Sequence, residues 1–119
     1  MNVKQFYEAV NGNYVAALDT MMMDSFIIKM LTKFNEKNSF DALKESYLNE
    51  DYRGVFEAAH SLKGVVGNLA LTDLFNKVVP VVEAVRNYTP NQKVDIKGDF
   101  EKLEESYNLV IENIKTLLA

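Results

Sequence analysis

The chain has no cysteine and no tryptophan, one histidine, two prolines and five glycines in 119 residues. Without cysteine there is no disulfide framework and no thiolate chemistry, which fits a reducing compartment. One histidine and no cysteine leave only carboxylates and amides to hold a metal, so no metal site and no bound cofactor are expected. No apolar run approaches the roughly 18 residues of a membrane span. The start, MNVKQFYEAV, lacks the basic and then apolar pattern of a signal peptide. A cytoplasmic protein without membrane attachment is therefore expected. Basic residues are outnumbered, 13 against 17 acidic ones, which argues against a nucleic-acid footprint. Glycine-rich phosphate loops and magnesium-binding carboxylate clusters are missing too, so the chain has no means of using ATP by itself.

What remains is an ordinary globular composition, 48% hydrophobic and 25% charged, with helical periodicity throughout. Val3, Phe6, Tyr7 and Val10 predict a short first helix, stopped at Asn11-Gly12 by a C-terminal glycine signal. Tyr14 to about Met22 reads as a further short helix, with Met21, Met22 and Met23 assigned to the core. Phe26, Ile27, Met30, Leu31 and Phe34 form one stripe, and Phe40, Leu43, Tyr47 and Leu48 another. The polar run between them leaves open whether residues 23–49 make one kinked helix or two, with Ser39 the cap of the second. Asp51 is the expected cap of a helix running to about Leu69. Thr72 and Asp73 start the next, which contains Pro80 and should kink or begin there. After a polar loop from Thr89 to Gly98, Asp99 is expected to cap a last helix carrying Phe100, Leu103, Tyr107, Val110, Ile111 and Ile114. Four substantial amphipathic helices with short connections predict an all-α, antiparallel four-helix bundle with one or two additional short helices, as a single domain over 1–119.

The lone histidine sits in the helix from Asp51. At about 100° per residue, His60, Lys63, Gly64 and Gly67 fall in one narrow sector. Val55, Ala58, Leu62, Val65, Val66 and Leu69 fall opposite, so His60 should lie at the centre of the solvent face. A lone surface histidine is by default inconsequential. Glycine inside a helix, however, costs about 1 kcal/mol relative to alanine. Two glycines on an exposed face beside the imidazole imply that something large must come close to it. Lys63 would repel a cation held by Glu57, and Ser61 points about 100° away, too far to form a hydrolytic pair. A bare imidazole beside a lysine suits nucleophilic capture of a phosphoryl group. Imidazole is partly neutral near neutral pH, its ring nitrogen can attack phosphorus in line, and an ammonium offsets the oxygens' charge.

The stretch Ala59-His60-Ser61-Leu62-Lys63-Gly64, continued by Gly67-Asn68-Leu69, resembles the signature of histidine-containing phosphotransfer domains, the phosphocarriers of two-component phosphorelays. The resemblance covers most of the chain and implies a helical bundle of similar size. It implies that His60 is phosphorylated on the ring nitrogen farther from the backbone. Lys63 would help hold the phosphoryl group, and Gly64 and Gly67 would admit a receiver domain's active site. Val65 and Val66 stand where the family often has smaller residues, but both are expected to face the core. Ala70 stands where glycine is common. The expected function is that of a carrier, not an enzyme: His60 takes a phosphoryl group from a receiver's aspartyl phosphate and passes it to another receiver. Expected partners are a response-regulator receiver domain, a hybrid histidine kinase, or both, with magnesium on the receiver and the chain itself a monomer. Phe56 is expected at the docking surface, with Arg53, Glu57 and Asn68 at its rim. Two other readings stay open: a helical adaptor that binds a signalling partner without phosphorylation, and a phosphatase acting on a receiver.

Overall fold

The computed structural model describes residues 1–119, which form seven helices and no strand. They are α1 (Val3–Ala9), α2 (Tyr14–Met21), α3 (Asp24–Glu36), α4 (Phe40–Leu48), α5 (Tyr52–Asn68), α6 (Thr72–Val85) and α7 (Lys97–Leu118). Four rods make the bundle: α3 continued by α4, then α5, α6 and α7. The rods run antiparallel, as cross-helix pairs show. Phe56 near the start of α5 meets Arg86 just past α6, whereas Gly67 at its end faces Phe75 near the start of α6. On α4 and α7, Tyr47 stacks on Phe100 with ring centroids 4.1 Å apart, and Phe40 stacks on Tyr107 at 3.9 Å. Alternate residues of the two helices thus form a ring stack that holds them together, the offset or edge geometry being worth about 1 kcal/mol per pair beyond burial. A continuous core of 27 residues runs through all four rods.

The question over residues 23–49 is answered by Asn38. The rod breaks at residues 37–39, and the Asn38 side chain satisfies the loose ends. Its amide nitrogen donates to the Phe34 carbonyl and to the Tyr107 hydroxyl, both at 2.9 Å, and its oxygen accepts from Phe40 N–H at 2.8 Å. Ser39 occupies the cap position of α4 but makes no side-chain cap bond; the neighbouring asparagine does that work. Asn38→Ala leaves these groups without partners at a half-buried junction. It should lower stability by about 1–3 kcal/mol in urea unfolding; an unchanged midpoint would show that the break is held by ring stacking alone.

Other expectations need correction. Asp99 lies inside α7, which starts at Lys97 with Ile96 in the cap position and no side-chain cap. Pro80 does not begin a helix: it lies inside α6, which is continuous from Thr72 to Val85, with its ring on the exposed face. Only Met21 of the methionine run is buried. Met22, in a left-handed conformation with φ 73°, is 81% exposed, and Met23 is 57% exposed. At the end of α1 the left-handed residue is Asn11, not Gly12. Helix α4 is the second half of the broken rod, so the additional short helices are two, α1 and α2, as expected. They close the end of the bundle where α5 stops: the buried Tyr7 hydroxyl donates to the Leu69 carbonyl at 2.8 Å. Burial drives the Tyr7 phenol's pKa strongly upward, so this donor keeps its proton.

Candidate functional site

Helix α5 starts as expected: the Asp51 carboxylate accepts from Gly54 N–H at 3.0 Å. A Cβ at Gly54 would meet the Asp51 carboxylate and the Ser46 hydroxyl, each at 2.5 Å, so glycine there lets α4 and α5 close tightly. Val55, Ala59, Leu62, Val66 and Leu69 are buried and anchor the helix. Val65 is not among them. It is 42% exposed, whereas Ala58 is half-buried and Ala59 takes the core position. The solvent arc is therefore centred about 40° from His60, near Gly64, not on His60 itself. The reason is that α6 packs closely along one side of α5, whereas the side toward α3 is left open.

His60 is exposed, and neither ring nitrogen is held by a hydrogen bond. On its α6 side the ring lies against Phe56, with centroids 5.6 Å apart and planes at 26°. The Arg86 guanidinium stands 5.7 Å from the centroid of the same Phe56 ring. Phe56 is half-buried, so it both tucks against the end of α6 and stacks beside the histidine. Arg86 grips both oxygens of Glu83, with Nη2 at 2.9 Å and Nε at 3.2 and 3.3 Å. This fork holds the Glu83 carboxyl below the usual carboxylate range, with Lys63 adding a smaller pull through space. Lys63 is half-buried on the same side and forms no ion pair of its own. The flank toward α6 is thus a charged one: Lys63, Arg86 and Glu83 gathered around an aromatic shelf.

The other flank is apolar. Exposed Val65 joins Phe26 and Met30 of α3 in lining a groove of about 540 Å³ that also reaches Asn68 and carries Lys33 and Lys37 on its rim. Exposed Met23 stands at the turn into α3. Gly64 lies between the flanks, and a Cβ built there has no heavy atom within 4 Å. Gly67 differs: its Cβ would touch the Phe75 ring at 3.4 Å, so its bareness also serves the packing of α5 on α6. Ala70, just past α5, has φ 55°, the conformation that favours glycine there. Arg53 and Glu57 pair at 3.5 Å one turn before His60, both well exposed.

The structure therefore brings His60, Lys63, Phe56 and Gly64 together and sets Gly67, Asn68, Arg53 and Glu57 around them. Sequence reasoning missed Glu83, Arg86 and Phe26 as neighbours of this face. The Glu83-x-x-Arg86 spacing was visible, but only tertiary packing brings Arg86 to Phe56 and Phe26 into one groove with Val65. No cluster of carboxylates and histidine capable of holding a metal is present, and no helix is long and apolar enough to cross a membrane. Chemically, the arrangement offers an unencumbered imidazole nucleophile, cations beside it and an open approach over Gly64. No family model, no curated protein and no solved structure matches the chain.

Proposed function

We propose that the protein is a phosphocarrier of a two-component relay, with His60 the residue that carries the phosphoryl group. The observation behind this reading is the unbonded, exposed His60 ring beside Lys63, on a helix face that Gly64 leaves open. The His60 Nε2 lone pair attacks the phosphorus of a receiver's aspartyl phosphate. The N–P bond forms as the acyl O–P bond breaks, and the electron pair leaves with the aspartate carboxylate. The ring keeps its proton on Nδ1, so the loaded imidazole is cationic and a good leaving group for the reverse step onto a second receiver. Lys63 offsets charge on the phosphoryl oxygens during both transfers. Magnesium is expected on the receiver, and the carrier is the substrate of these steps, not an enzyme. A cytoplasmic location fits such a role.

The test mixes the chain with a receiver domain carrying radiolabelled aspartyl phosphate. Acid-labile, alkali-stable label on this chain is expected. Accelerated release of free phosphate without label would support the phosphatase reading. No label from any of several receivers would support the adaptor.

The apolar flank gives the receiver a place to sit. Val65 and Phe26 are exposed, so an aspartate at either should leave the bundle folded. Val65→Asp and Phe26→Asp should each slow transfer from the receiver about tenfold, the equivalent of one buried contact of about 1.4 kcal/mol. Labelling by phosphoramidate, a small donor that needs no docking, should be unchanged. Full-rate transfer by both variants would place the footprint elsewhere.

A further inference from the structure

We infer that Glu83 is the resting-state anion of the site, holding by its carboxylate the Arg86 guanidinium that a phosphoryl group on His60 would claim. The inference rests on the carrier reading and adds to it a residue outside the histidine helix. Its basis is the chain of contacts His60–Phe56–Arg86–Glu83. The Phe56 ring lies 5.6 Å from His60 and 5.7 Å from the Arg86 guanidinium, and that guanidinium is forked onto Glu83. Lys63 reaches the same carboxylate through space, without a direct ion pair. The guanidinium that shares the Phe56 ring with the imidazole is therefore held by one carboxylate, and no other acidic group is forked onto Arg86.

A phosphoryl group is the better partner for this fork. It brings up to two negative charges and three acceptor oxygens where Glu83 brings one charge and two, and a guanidinium matches phosphate geometry in the same bidentate way. The Arg86–Glu83 pair is also one that can be given up. Its side chains are 39% and 54% exposed, and pairs in that setting contribute little. The Arg86 guanidinium already lies over the Phe56 ring, 5.7 Å from its centroid, and that ring also lies against His60. Loading His60 thus exchanges Arg86 from Glu83 to the phosphoryl oxygens. Glu83 then competes against loading and promotes release, so it sets how the phosphoryl group divides between carrier and receiver. Glu83 and Arg86 are positioning residues here; neither takes part in bond making.

The test is the equilibrium division of label between a receiver and the native chain, Glu83→Gln, Arg86→Gln and the double variant. Glu83→Gln should move the division about threefold to fivefold toward this chain, the range of a surface charge pair. Arg86→Gln should move it toward the receiver, and most of the Glu83→Gln shift should vanish in the Arg86→Gln background. On loading native protein with phosphoramidate, the Arg86 Nε–H resonance should shift, and in Glu83→Gln it should start displaced from its native position. An unchanged division in Glu83→Gln, or the same shift with and without Arg86, overturns the inference while leaving the carrier reading intact. No label on the native chain from either donor overturns both.

Discussion

His60→Gln should take up no label from a receiver, while its unfolding midpoint stays that of the native chain. The two halves of this expectation come from different observations. The fold half follows from exposure: the imidazole makes no hydrogen bond and contributes to no buried cluster, and its aromatic contact is with a half-buried phenylalanine ring. Substitutions at such positions change stability by about 0.5 kcal/mol or less. The function half follows from chemistry. A glutamine amide fills much of the same space, yet its nitrogen lone pair is delocalised into the carbonyl and does not attack phosphorus. No second histidine and no cysteine exists to take over. Uptake should therefore fall to background, an effect far larger than that of any contact residue. Variant protein that still accepts acid-labile label would end the assignment of His60. Variant protein that retains full signalling in its relay would favour the adaptor reading.

Much of the fold was legible because helices announce themselves locally. The stripes of α5 and α7, the Asp51 cap and the boundary at Thr72 all follow from periodicity and capping within a few residues. The errors have separate physical causes. Whether Val65 faces the core depends on which side of α5 a neighbour covers, and the periodicity of α5 alone does not carry that. Met22 and Met23 read as core because methionine is apolar, yet the turn between α2 and α3 turns them outward. The caps at Ser39 and Asp99 differ from each other. Ser39 stands at the cap position, but the side chain that bonds the first helical N–H is that of Asn38. Asp99 has the right chemistry three residues past the Ile96 cap position, and helix ends are decided by what the adjacent backbone packs against. Within the site, the elements on α5 were visible from its own sequence. Arg86 and Glu83 belong to it only because α6 returns antiparallel and places its C-terminal turn beside Phe56.

The glycines separate a steric account from a structural one, and Gly64 is where the separation is clean. Gly64→Leu places a branched side chain at the centre of the solvent arc, where a Cβ meets nothing within 4 Å. In the free protein it should fold well. Leaving glycine removes a helix-interior penalty, so stability should rise by about 0.5–1 kcal/mol. Transfer from a receiver requires the phosphorus of a large, rigid partner to come within bonding distance of His60, and the new side chain stands one turn away on the line of approach. A displacement of about 1 Å at a reacting centre can cost roughly a hundredfold in rate. A leucine on that line should displace the partner by more, so a loss of at least that size is expected in single-turnover transfer. Phosphoramidate should still label the variant, since a small donor can pass the leucine. Gly67→Leu would give a less decisive result, because the Phe75 ring 3.4 Å from its Cβ would have to move and α5 could shift on α6 with it. A more stable Gly64→Leu protein that accepts label from the small donor and not from the receiver isolates close approach as the reason for the glycine. Equal transfer from the receiver would mean that the partner does not cover this face, and the docking surface would have to be sought away from the α3–α5 groove.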